Sequence, residues 1–138
     1  MMTGMWRTRA LELMPGMGPE IETAESVGRL WIELVSRLHG LESPELFRAV
    51  CLYAIWCTGS DSWEAQQAAG VEFYFHLPGH ARQWGDAAYR RFVKGLIANL
   101  PRAEIEKMGG GLSPEERKRF FADIQEAEEE QRRRSRKR

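Results

Sequence analysis

Glu72, His76 and His80 are the one place in the chain where a carboxylate and imidazoles cluster, and their four-residue spacing decides what chemistry they can carry. A catalytic zinc takes three protein ligands and keeps a fourth position open. These side chains supply that number if the chain folds back at Pro78-Gly79. The zinc-hydrolase pattern, however, puts both histidines on one helix face with a glutamate beside the first. Pro78 is expected to separate the two faces, and Phe75 and Leu77 adjoin His76. A metal-dependent enzyme on these residues therefore ranks third among the functions considered. The simpler reading pairs Glu72 with His76 or with an arginine of the following helix, His76 being suited to a helix C-terminus by the dipole. No cofactor is implied.

The second chemical signal is the C-terminal run Arg132, Arg133, Arg134, Arg136, Lys137 and Arg138. A polybasic end neutralises phosphates and gains free energy by counterion release, which makes it a sequence-blind nucleic-acid arm. Against this, Glu128 to Arg132, Glu129 to Arg133 and Glu130 to Arg134 are i, i+4 pairs in the favourable order. They extend a solvated helix and leave only Arg136, Lys137 and Arg138 unpaired. No aromatic residue is interleaved with the bases, which argues against stacking on single strands.

Cys51 and Cys57 lie on one expected helix, separated by about 9 Å of rise and about 240° of direction, so they cannot bridge each other. With only two cysteines in the chain, a reducing cytoplasm is the expected compartment and buried, inert thiols the expected state. Neither Ser43 nor Ser113 has a base near it in sequence, and Gly109-Gly-Gly111 lacks the Lys-Ser/Thr of a phosphate loop. Of the five tryptophans, Trp63 and Trp84 are expected to be part-exposed and so able to anchor a partner.

The elements that position these residues read as helices. Residues 46–57 are apolar around almost the whole circumference, and Ser43-Pro44-Glu45 supplies a cap, a proline for the first turn and an acid. A helix of this kind belongs in the middle of a domain, and at about 14 residues it is too short for a membrane span. Residues 20–39 repeat apolar positions at three and four and predict one amphipathic helix. A third helix opens at a box formed by Asp61 and Glu64 and ends before Pro78-Gly79, with residues 71–77 also alternating tolerably as a strand. Asp86 caps a fourth helix, Pro101 breaks it, and Ser113-Pro-Glu-Glu116 is a capping box for a last helix that only Phe120, Phe121, Ile124 and Ala127 can dock.

The 138 residues fit one domain, 43% hydrophobic, which excludes disorder throughout. Zero formal charge hides an asymmetry: residues 1–81 hold five arginines against ten carboxylates, and residues 82–138 hold fifteen Lys/Arg against ten. A dipolar chain of this sort can form a homodimer or offer its basic end to an anionic partner. Residues 1–19, rich in Met, Gly and Pro, read as a flexible leader without a signal peptide, or as a start assigned too far upstream. Removal of residues 1–16 is on this reading expected to leave the fold intact.

The expected architecture is all-α, a compact bundle of about five helices in antiparallel pairs around the buried central helix, with HEAT-like stacking as one layout. It divides into a leader (1–19), a helical core (20–108), a glycine hinge (109–112) and a charged helix with a basic tail (113–138). The function ranked first is a non-catalytic helical interaction protein, adaptor or accessory, for an unknown protein partner. A nucleic-acid-associated protein using the tail ranks second.

Overall fold

The computed structural model describes residues 5–136, so Lys137 and Arg138 of the expected tail lie outside the described residues. It is all-α, with no strand among those residues. The central element is α4, Pro44–Gly59. Ser43 caps it as its sequence implied, the side-chain oxygen accepting from the Leu46 N–H at 3.1 Å. Phe47, Val50, Cys51, Tyr53, Ala54 and Cys57 are buried. Its apolar circumference is not wholly covered, since Leu52 is exposed and Ile55 and Trp56 are half-buried.

The amphipathic stretch before α4 is two helices rather than one. The first, α2 (Gly18–Thr23), ends at extended Ala24, and α3 (Val27–Arg37) begins afresh with Ser26 accepting from the Arg29 N–H. The 3.6-residue apolar period continues across the break, which is why the pattern alone did not reveal it.

Residues expected as a flexible leader form α1, Met5–Leu13, packed against α4 with Trp6 and Ala10 buried. Two polar anchors hold it. The Arg7 guanidinium donates to the carbonyls of Ile21, Glu22 and Ala24 at 2.6, 2.9 and 3.0 Å, closing the C-terminal end of α2 where a cation suits the dipole. The Tyr53 hydroxyl, inside the core, donates to the Trp6 carbonyl at 2.8 Å. Met14 and Met17 are buried beyond it.

The third expected helix is also different. Ser62, not Asp61, caps α5 (Trp63–Ala69) through the Ala65 N–H. The helix then continues through a π-helical turn, Gly70–His76, into α6, Leu77–Arg82, so Pro78-Gly79 does not end it. Proline lacks the N–H that an α-helix would give to the carbonyl four residues back. A π turn loosens that register, and a neighbouring segment completes it. The Tyr74 carbonyl accepts from the Gly109 N–H at 3.0 Å, and the Phe75 carbonyl from the Gly111 N–H at 3.2 Å. The expected glycine hinge is thus a strap hydrogen-bonded to the π turn, with Gly109 buried at φ 93°.

The remaining helices are α7 (Asp86–Asn99), α8 (Arg102–Ile105) and α9 (Pro114–Arg136). Asp86 lies in the first turn of α7, whose cap position is Gly85 without a side-chain bond. The Ser113 box forms as read: its N–H donates to Glu116 at 3.0 Å and its hydroxyl accepts from the Glu116 N–H at 3.2 Å. Buried side chains from Trp6 to Ile124 make one continuous core. Trp31 stacks on Tyr53 at 5.5 Å and meets Phe73 at 5.8 Å, while Phe92 joins Phe47 at 6.0 Å to Phe120 at 6.4 Å.

Candidate functional site

The helical run from Trp63 to Arg82 buries one face and leaves the other in solvent. Ala65, Ala69, Phe73 and Leu77 are fully buried at four-residue steps. The outer face repeats the same step with Trp63, Gln67, Val71 and Phe75, all exposed. Trp63 is 69% exposed, and Val71 and Phe75 are 43% exposed each, so three of the chain's largest solvent-facing hydrophobics share this stripe. In a pure α-helix a four-residue step drifts around the axis. The π turn, with more residues per turn, works against that drift between Val71 and Phe75.

Directly beside the stripe runs a second four-residue series, Glu64, Ala68, Glu72, His76 and His80. Glu64, His76 and His80 are exposed. Pro78, expected to separate the two histidines, does not end the helix, and His76 and His80 lie near each other. Their ring centroids are 6.2 Å apart, and His76 sets its edge against Phe75 at 4.9 Å. Among the described residues, no group of three His, Cys, Asp or Glu side chains is arranged to hold a metal ion.

Trp63 and Trp84 do not form one surface. Trp63 opens the run and Trp84 lies in the turn beyond its C-terminal end, half-buried with its ring against His39 at 5.9 Å and Phe92 at 6.1 Å. Val71 and Phe75 were not singled out when residues 71–77 were read as the second half of a helix that also alternates as a strand. The four-residue spacing from Trp63 was the available signal.

The π turn is fixed from below by Tyr74, whose hydroxyl donates to Glu104 at 2.7 Å. Burial, and then this bond, push the Tyr74 phenol above its ordinary value. Partial burial works against the Glu104 charge, but the bonds from Tyr74 and Lys107 outweigh it and hold the carboxyl below the usual range. A depressed carboxylate contributes stability that is complete above its unfolded value, about 4.3, and is lost as pH falls through the folded one. Tyr74→Phe is expected to cost about 1 kcal/mol at pH 7 in urea unfolding. The same variant is expected to shrink the acid-side loss of stability below about pH 4.

Both cysteines are buried, and burial pushes the Cys57 thiol up to about 11 and raises Cys51 further, which favours the protonated thiol in both. A groove of about 820 Å³ lies between α7 and α9, where four cations, among them Arg90 and Arg119, face four carboxylates, among them Asp123 and Glu130. Its formal charges balance. Arg132, Arg133, Arg134 and Arg136 are exposed at the end of α9, and Arg134 pairs with Glu130 at 2.8 Å. Glu128, expected to pair with Arg132, is drawn instead to Arg102 of α8. No helix among the described residues is long and apolar enough to cross a membrane.

No family model, curated protein or solved structure matches the chain.

Proposed function

We propose that the protein is a non-catalytic helical interaction protein that docks another protein chain on the outer face of the Trp63–Arg82 run. The observation that supports this reading is the solvent-facing stripe of Trp63, Val71 and Phe75 on an element otherwise packed into the core. Large aromatics that are rigid and exposed supply the anchors of protein interfaces, and scattered single hydrophobics do not form such a row. On this reading the body is a bundle of antiparallel helix pairs around α4 whose role is to hold the stripe straight.

A photo-crosslinking residue in place of Trp63, activated in cells that express the protein natively, is expected to give a covalent adduct with a protein. The same residue in place of Gln125, exposed on α9, serves as the control. Absence of any adduct specific to position 63 would overturn the reading.

The exposed arginines at the end of α9 favour a second reading, contact with a polyanion. It requires binding to duplex nucleic acid that weakens steeply with salt and disappears when residues 128–138 are removed.

A further inference from the structure

The stripe and its flanking series are complementary to themselves when run in opposite directions, and the geometry points to a second copy of this chain as the occupant. The inference rests on the docking reading above and names its partner. In an antiparallel pair centred between Gln67 and Val71, Trp63 of one copy meets Phe75 of the other, and Gln67 meets Val71. The flanking series, one residue further along, then falls on itself in reverse. Glu64 lies within about two residues, or about 3 Å of rise, of His76 in the other copy. His80 comes within about a turn of the other copy's Asp61.

Each end of the run is thus chemically opposite to the other. Asp61 and Glu64 stand at the N-terminal end, and His76 and His80 at the C-terminal end, while Arg82 is turned away to Glu116. An imidazole N–H donates to a carboxylate in either protonation state, so the contact does not require a charged histidine. Parallel pairing about an axis along the helices would put the two flanks on opposite sides of the contact, so Glu64 of one copy would not meet His76 of the other. A two-fold axis perpendicular to the helices brings like flanks together, which is the isologous arrangement of most dimers. Ala68, beside Gln67 and Val71, is small and half-buried, so the backbones can approach at the centre. The patch is one helix face wide, which suits a weak, reversible dimer rather than an obligate one.

Sedimentation velocity on the full chain from about 1 µM to about 1 mM is expected to show a monomer passing to a dimer, with Kd in the ten-to-hundred micromolar range. Trp63→Glu, at a site too exposed to disturb the core, is expected to weaken the dimer at least tenfold. Glu64→Lys sets Lys against His76, and His76→Glu sets carboxylate against carboxylate; each weakens association. The double variant Glu64→Lys with His76→Glu restores it, a rescue that loss of folding cannot mimic.

A single monomeric species at every concentration overturns the inference, as does a dimer indifferent to Trp63→Glu and to the charge exchange. The crosslink at position 63 separates this failure from failure of the docking reading. An adduct of twice the 15.9 kDa chain mass supports self-pairing. An adduct of any other mass removes the self-pairing and keeps the docking surface, and no adduct removes both.

Discussion

Removal of residues 1–16 is expected to abolish the cooperative fold, the reverse of what their composition suggests. The deletion takes Trp6, Ala10 and Met14 out of the core. It also removes the guanidinium that closes the end of α2 and the carbonyl that accepts from buried Tyr53. Truncating a buried tryptophan costs about 3–5 kcal/mol. Stranding a buried hydroxyl adds about 1–3 kcal/mol. Together these approach the whole stability of an ordinary domain, about 5–15 kcal/mol. Circular dichroism during a thermal ramp should show no sharp transition for the truncated chain, or one lowered by more than about 15 °C. A midpoint within about 2 °C of the full chain would mean that α1 is not part of the core. Arg7→Ala alone is expected to lower the midpoint by a few degrees, because it leaves the apolar contacts of α1 in place.

That segment shows where sequence reasoning runs out. Pro15, Gly16, Gly18 and Pro19 look like a linker, and they do form a short 3-10 turn and the start of α2. Yet Trp6, Ala10, Met14 and Met17 recur at four, four and three, a helical face that the crowd of glycines and methionines obscures. By contrast α4 and the start of α9 were legible, because a capping serine, a proline and an acid stand at fixed offsets, and in both helices the serine makes a local bond. Local chemistry is written locally. The carbonyls at the break between α2 and α3 are bound by Arg7, fourteen or more residues upstream, a partner that the local pattern does not announce.

The candidate surface divides in the same way. Glu72, His76 and His80 were singled out by residue type, and Trp63 by its place in a first turn. Their joint arrangement was hidden because Pro78 predicts a stop, and the helix passes it only with hydrogen bonds supplied from Gly109 and Gly111, some thirty residues further on. Without that continuation the stripe would lose its end, since Phe75 is seated where the strap crosses the π turn.

Gly111→Ala is therefore expected to be among the most costly single substitutions outside the aromatic core. A Cβ there would stand 2.9 Å from the Phe75 carbonyl oxygen and 3.2 Å from its ring. The ring can turn, but the carbonyl cannot retreat, because it is the acceptor of the Gly111 N–H itself. The strap must lift, and the Tyr74 carbonyl, which Pro78 cannot serve, then loses the Gly109 N–H. Each backbone group so stranded costs about 1–3 kcal/mol. The midpoint should fall by roughly 5–12 °C. Gly110→Ala should cost less, since its close neighbours are ring atoms of half-exposed Phe75. Gly59→Ala, with nothing within 4 Å, should cost nothing. The decisive comparison adds Pro78→Ala, which gives residue 78 an N–H of its own for the Tyr74 carbonyl. In that background Gly111→Ala is expected to cost about 1 kcal/mol less. Equal costs in both backgrounds would mean that the strap does not stand in for the hydrogen bond that proline removes.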